Sequence, residues 1–225
     1  MTEPALRRLL IVDNMDSDSI ARTRMHQLKR SLHQAARELG VQLRLDVVAR
    51  DQWRHQSAEH YQGVILTGGQ ANPTRSALRS GWLAHVAAQT RGHLAHSDVP
   101  LLGICMGHQL LGTHQGSADL SARAIRELET VREMHVERTD PLLRGLGSSF
   151  RLVLSHGYEL SNVPPGFILL ARGEFPAAAV QIMRHESKPV YGVQAHPEIR
   201  RSRAIGHSGI ELLKNFIRMC GSRSS

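Results

Sequence analysis

The stretch "VPLLGICMGHQLLG", residues 99–112, decides how this chain is read. Its first part, "VPLLGI" (99–104), is short, apolar and entered through a proline, the pattern of a buried strand. The following "MGHQLLGTH" (106–114) carries Leu110 and Leu111 at helical spacing from Met106 and Gly107. Cys105 therefore stands at a strand-to-helix turn, and small residues on both sides let that turn be tight.

The same alternation extends outward. "RLLIVD" (8–13) reads as a strand, and 16–40 as a long helix opened by Asp and Ser caps and closed by Gly40. "VQLRLDVV" (41–48) alternates like a strand, "GVILTGG" (63–69) is a buried strand ending in glycines, and 75–91 reads as helix through Gly81. Beyond residue 129 the pattern becomes successive strands (129–138, 149–157, 166–173, 177–185, 189–196), and a last helix covers 209–220. This predicts an α/β fold with an open, mostly parallel sheet and helices on both faces, in a single domain spanning 1–225. In such a fold sites form at the carboxyl ends of strands, here Asp13–Asn14, Thr67-Gly68-Gly69 and Cys105.

Composition narrows the function classes. With 225 residues and 41% apolar content the chain can bury a full core. No apolar run approaches the ~20 residues of a membrane span. The N-terminus lacks a signal-peptide layout, because Asp13 follows the apolar run directly, so a cytoplasmic protein is expected. The two cysteines, Cys105 and Cys220, make neither a disulfide framework nor a zinc motif, and Cys220 reads as incidental. The net charge of +8 is spread along the chain, with 4% aromatics and no aromatic-interleaved basic stretch. That predicts a basic face for an acidic partner rather than specific nucleic-acid binding.

A thiolate at Cys105 needs a base and oxyanion donors, and the start of the following helix supplies free backbone N–H groups and a positive dipole end. Among fourteen histidines the best base is His196 in "VYGVQAHPEI", at the end of an apolar strand stopped by Pro197. Glu198, two residues on, can orient its imidazole as the third member of a triad does. His108 and His156 read as structural, Asp13 as a turn or cap residue, and Glu127 and Glu129 as a solvated face. "HLAH" (93–96) has no third ligand nearby, so its histidines read as solvated and no metal site is expected.

"GICMGHQLLG" together with "YGVQAHPE" resembles the class I glutamine amidotransferase family, whose usual motifs are G-I-C-x-G-H-Q and Q-F-H-P-E. "LLIVDNMDS", "GVILTGGQANP", "LSHGYEL" and the C-terminal "HPEIRRSRAIGHSGIELLKNFIRMC" extend the resemblance over nearly the whole chain. It implies a flavodoxin-like amidotransferase fold with no cofactor, and hydrolysis of the glutamine side-chain amide through a cysteinyl thioester. Cys105 would be the nucleophile, His196 the base and later acid, and Glu198 its orienter. The N–H groups of Met106 and Gly69 would hold the oxyanion. Gln109 fits the glutamine contact, and Ser155, Gly157 and Tyr158 the part holding the amino-acid end. The ammonia would pass to a separate synthase subunit, since the chain ends soon after its last helix. Within the family "SHGYEL", "DPLLRGL" and "LLKNF" are most similar to the glutaminase part of GMP synthetase, while "DN-x-DS" is shared with anthranilate and aminodeoxychorismate synthase subunits. The alternatives are a stand-alone cysteine hydrolase of γ-glutamyl compounds and a non-catalytic module that keeps the fold.

Three departures accompany the resemblance. Gln70 and Ala71 stand where relatives carry Pro and a small residue, Ala195 replaces Phe, and the stretch after the nucleophile helix lacks the usual Gly-Gly followed by a strand.

Overall fold

The computed structural model describes residues 5–16, 18–113, 120–122, 129–173, 180–201 and 203–221. Its first strand is β1 (Leu6–Asp13), whose apolar part, Leu9 to Val12, is buried on both faces. Leu9 and Ile11 join the hydrophobic cluster on one side of the sheet, and Leu10 and Val12 the cluster on the other, as the two-residue period of a strand requires. Five strands run parallel in the spatial order β2 (Gln42–Ala49), β1, β3 (Gly63–Leu66), β4 (Leu101–Ile104), β11 (Val190–Val193).

Four more strands continue the nine-stranded sheet from β11: β10 (Val180–His185), β9 (Phe167–Gly173), β6 (Thr130–Val136) and β7 (Ser149–Leu154), each antiparallel to its neighbour. The sheet is therefore mixed, and the expectation of mostly parallel strands holds for its first half. Parallel neighbours need a long crossover, usually a helix. The second half instead joins strands such as β10 and β11 through short connections, which allow only antiparallel pairing. A separate two-stranded sheet pairs β5 (Leu120–Ala122) with β8 (Tyr158–Leu160). A short strand thus forms in the segment that lacks the family's Gly-Gly.

Helices cover both faces. On one side α1 (Ser19–Glu38) buries Leu28, Leu32, Ala35 and Ala36 in the same cluster as Ile210, Leu213 and Phe216 of α4 (Arg203–Met219). Asp18 caps α1 by accepting the Ala21 N–H at 2.7 Å, and Gly40 closes it with φ +66°. On the other side lie α2 (Gly81–His96) and α3 (Met106–Thr113). The helix expected over 75–91 starts at Gly81, because the positive φ of that residue (+70°) is incompatible with a helix interior, and it runs on to His96. The last helix starts at Arg203 rather than at 209.

Two side chains read as peripheral belong to the core. Cys220 is fully buried, with its sulfur where a Cβ on Gly63 would stand, and burial pushes its thiol well up. His93 is also buried rather than solvated. Its Nε2 bonds to the Val99 carbonyl at 2.9 Å, and burial pushes it down to about 4. His96 is exposed, as expected.

Two glycines let α3 sit directly on the strands that launch it. A Cβ on Gly103 would lie 2.6 Å from the carbonyl of Gly107, and one on Gly107 would collide with the Leu66 carbonyl oxygen. Gly107→Ala must therefore push α3 off β3, and overpacking of this kind costs ~1–3 kcal/mol. Urea unfolding of this variant should show that loss of stability with an unchanged m-value.

Candidate active site

The site is built at the carboxyl ends of β3, β4 and β11. Cys105 leaves β4 with φ +51°, one of two non-glycine residues with positive φ among the described residues. Such a conformation costs ~1–3 kcal/mol and persists only where the surroundings impose it. Here the Cys105 N–H donates to the Val193 carbonyl (2.8 Å), and the Cys105 carbonyl accepts the Gln109 N–H (3.0 Å), the first hydrogen bond of α3. The strand bonding ends and the helix bonding begins at one residue. The N–H groups of Met106, Gly107 and His108 precede the first helical donor, so the helix itself offers them no acceptor.

β11 ends at Val193, and His196 and Glu198 follow it. The His196 N–H donates to the Val153 carbonyl of β7 at 2.8 Å, which pins the backbone. His196 Nδ1 meets Glu198 Oε1 at 2.7 Å, and both side chains are buried. A Cβ placed on Gly68 would lie 3.3 Å from His196 Cε1 and 3.4 Å from Cys105 Cβ, so the imidazole and the thiol face each other across this glycine. Burial opposes charge on His196. The carboxylate of Glu198 and then the Cys105 sulfur outweigh it, and the imidazole is pushed up to about 10. The site thus favours an imidazolium next to the sulfur.

The remaining expected residues converge on the same place. Gly69 follows Gly68 along the loop after β3, wedged so closely that a Cβ would stand 2.7 Å from the Asn14 carbonyl oxygen and 3.0 Å from Met106 Cε. Gln109 Nε2 donates to the Tyr158 carbonyl (2.6 Å) and to Gln194 Oε1 (3.2 Å). The Ser155 carbonyl accepts from Cys105 Sγ at 3.9 Å, and Gly157 lines the cavity. That cavity, about 550 Å³, is bounded by Cys105, Met106, Gln109, Gly69, His196 and Glu198 among others, and its size suits a small metabolite.

Two neighbours were not anticipated. Gln194, fully buried, donates from Nε2 to Cys105 Sγ at 3.8 Å while its Oε1 accepts from Gln109. The second is Glu129, read as part of a solvated face. It has φ +51° and lines the cavity, its carboxylate held by Arg24 Nη2 and Arg201 Nη2 at 2.6 Å each. Glu127 lies outside the described residues. A signal for Gln194 was present, since the family motif includes that glutamine. For Glu129 there was none, because its arginines are remote in sequence.

The other residues singled out in the sequence take the following positions. Burial pushes His108 down to about 4, with the backbone of Val180 and Gly192 against its ring, and His156 is buried at the cavity wall. Asp13 is a turn residue, accepting the Met15 N–H at 3.0 Å. Gln70 takes the place of a rigid proline with two hydrogen bonds, one from the Asp16 N–H (3.3 Å) and one to Asp18 Oδ2 (3.1 Å), which tie the glycine loop to the head of α1. Ala195 is fully buried. Among the described residues no cluster of three or more His, Cys, Asp or Glu side chains could hold a metal, and no helix is long and apolar enough to cross a membrane.

Residues 24–219 match the family model described as glutamine amidotransferase class-I. The chain belongs to the class I glutamine amidotransferase family. This amidotransferase is 36% identical over 167 residues to a glutamine-hydrolysing GMP synthase subunit of Methanosarcina acetivorans, covering 72% of this chain and 76% of that protein. It is 29% identical over 190 residues to the identically named protein of Methanocaldococcus jannaschii, covering 84% and 90% respectively. A solved structure from Thermoplasma acidophilum, described as a candidate for the same GMP synthase subunit, superposes with a TM-score of 0.72 at 25% identity, covering 96% of this chain and 94% of that one. A glutamine amidotransferase of Thermotoga maritima shares the fold at 17% identity, with a TM-score of 0.69 over 99% of this chain and 100% of that one.

Replacing Glu198 by Gln removes the charge that offsets burial, so His196 should lose its proton far below its present value. Folded His196 holds a proton above the ordinary 6.5. Its stabilising contribution is therefore complete below that value and lost as pH rises through about 10, and Glu198→Gln should flatten this dependence. Without the imidazolium, iodoacetamide should alkylate Cys105 at neutral pH at least ~10-fold more slowly, a tenfold effect corresponding to one pKa unit.

Proposed function

We propose that this chain is the glutaminase subunit of a GMP synthase-like two-subunit enzyme. Acting as one domain in the cytoplasm, it would release ammonia from glutamine for a separate synthetase subunit. The observation that carries the chemistry is the convergence of the Cys105 thiol and the Glu198-bound imidazole of His196 across Gly68. A reducing compartment suits a lone unpaired nucleophile of this kind.

The Cys105 thiolate attacks the Cδ carbon of the glutamine side chain, and the carbonyl oxygen takes the negative charge. The N–H groups of Met106 and Gly69 hold that oxyanion. Protonated His196 gives its proton to the nitrogen, the C–N bond breaks, and ammonia leaves behind a glutamyl thioester. Neutral His196 then takes a proton from water, whose oxygen attacks the thioester carbonyl. Collapse of this second intermediate expels the Cys105 thiolate and releases glutamate, whose new carboxyl group gives its proton to solvent, while His196 keeps the proton it took from water and so restores the starting thiolate–imidazolium pair. Glu198 keeps the ring oriented and its charge stabilised. Gln109, Ser155, Gly157 and Tyr158 hold the substrate.

Gln194 adds a donor on the sulfur and fixes the carboxamide of Gln109 at once. Glu129, with Arg24 and Arg201, puts both signs of charge at the cavity rim, which suits the ammonium and carboxylate of an α-amino acid. Sequence similarity to glutamine-hydrolysing GMP synthase subunits of several archaea supports the GMP synthase assignment over the shared "DN-x-DS" of other synthases.

Cys105→Ala should abolish ammonia release from glutamine, measured by a coupled glutamate dehydrogenase assay with and without the synthetase subunit. Full activity in that variant would overturn the nucleophile. Glu129→Gln should raise KM for glutamine by ~10-fold or more, the worth of a hydrogen bond to a charged group, with kcat changed far less.

A further inference from the structure

We propose that Thr67 and Arg50 are positioning residues for the reaction, holding the Gly68–Gly69 peptide so that the Gly69 N–H meets the forming oxyanion. This rests on the glutaminase reading above. β3 ends at Leu66, and Thr67, Gly68 and Gly69 carry the chain past the Cys105 cavity. A peptide between two glycines turns easily about its flanking bonds, because neither residue has a Cβ to restrict it. Turned over, it would present a carbonyl oxygen where negative charge has to develop. Catalysis by Gly69 therefore needs something that fixes this plane in advance.

The Thr67 hydroxyl does so from inside. Thr67 is buried, and its Oγ1 donates to the Gly68 carbonyl at 3.0 Å while accepting the Asn14 N–H at 2.9 Å. One hydroxyl has a single proton to give, and it goes to that carbonyl. The carbonyl is thereby turned into the protein. In a trans peptide the N–H points the opposite way, so the Gly69 N–H is turned out. It donates to no protein acceptor among the described residues. Thr67 is itself fixed, its N–H by the Val12 carbonyl (3.2 Å) and its carbonyl by Asn14 Nδ2 (3.0 Å).

Arg50 braces the loop from outside. Asn14 is fully buried, and its carbonyl oxygen is the atom against which Gly69 rests. Arg50 Nη1 donates to that oxygen at 2.9 Å, and Nη2 donates to Asp16 Oδ1 at 2.8 Å. The Asp16 N–H in turn donates to Gln70 Oε1, so one guanidinium supports Gly69 through Asn14 and Gln70 through Asp16. The guanidinium lies 3.9 Å over the centroid of the Trp82 ring, a cation–π stack that fixes its plane. Neither Arg50 nor Trp82 borders the Cys105 cavity, so Arg50 acts on the reaction through these contacts rather than by touching substrate. A proline at position 70 would restrict the loop by its own ring. In this chain the restraint comes from Thr67 and Arg50 instead.

The test uses the full chain, assayed for glutamine hydrolysis under whichever condition, alone or with the synthetase subunit, gives the wild type its higher rate. Thr67→Val keeps the shape of the side chain and removes the hydroxyl. Arg50→Met keeps a stem over Trp82 and removes both donors. Displacing a reacting group by ~1 Å costs up to ~100-fold, so Thr67→Val should lower kcat by ~10–100-fold and Arg50→Met by ~3–10-fold, each with KM within ~2-fold of wild type. Thr67→Ser, which keeps the hydroxyl, should recover most of the loss seen with valine. Iodoacetamide supplies a readout that general damage would move. Its reaction with Cys105 displaces iodide from a methylene carbon and puts no charge on an oxygen. The alkylation rate should match wild type in all three variants, since the thiolate and the imidazolium are untouched. A variant that is folded by circular dichroism and keeps the wild-type kcat overturns the role of that residue. A parallel fall of kcat and alkylation rate overturns the positioning role. Should Thr67→Val not fold, Thr67→Ala takes its place in the same comparison. A wild type that releases no ammonia under either condition removes the glutaminase reading and this role with it, whereas unchanged kcat in the variants leaves that reading standing.

Discussion

Everything in the site depends on the left-handed backbone of Cys105. That single residue ends the hydrogen bonding of β4 and begins that of α3, so its side chain lines the cavity at the carboxyl ends of the strands, at the edge of one core cluster. The strain is tolerable only because α3 can rest against the strands below it. Gly103 and Gly107 make that approach possible, since a methyl group on either meets backbone atoms. The packing at the base of the helix thus holds a conformation at its tip that cysteine would not adopt alone.

The geometry would accomplish little without its electrostatics. A buried imidazole beside a buried thiol would ordinarily stay neutral. Here the carboxylate of Glu198 is close enough, and sufficiently withdrawn from water, to reverse that preference. The positive end of α3 acts in the same sense on the sulfur. The charge distribution that activates the nucleophile is therefore assembled from three strand ends, and His196 is fixed further by its backbone bond to β7. The antiparallel extension of the sheet thus contributes directly to the position of the base.

Much of this could be read from residue order, and the parts that could not share a reason. The buried strands, the glycine loop after β3, the turn at Cys105 and the His-Pro-Glu corner all announce themselves locally, through apolar runs and punctuating Gly and Pro. The mixed sheet was harder, because an apolar strand looks the same whichever way its neighbour runs. His93 and Cys220 were misjudged because burial is set by what folds over a residue, which residue order does not show. Glu129 is the sharpest case. Its surroundings, "ELETVREM", resemble a solvent-facing strand, and only the approach of Arg24 from α1 and Arg201 from beyond Glu198 turns it inward to the cavity.

The sealed position of Cys220 separates the two sulfurs of this chain by reactivity. One lies in a cavity beside a proton carrier. The other is pressed against Gly63 at the C-terminal end of α4, fully buried, where ionisation is disfavoured. Electrophile uptake by the native protein is therefore an internal standard, one equivalent per competent molecule. The second equivalent becomes available only on denaturation, so the ratio of the two counts the fraction of a preparation that is folded and active.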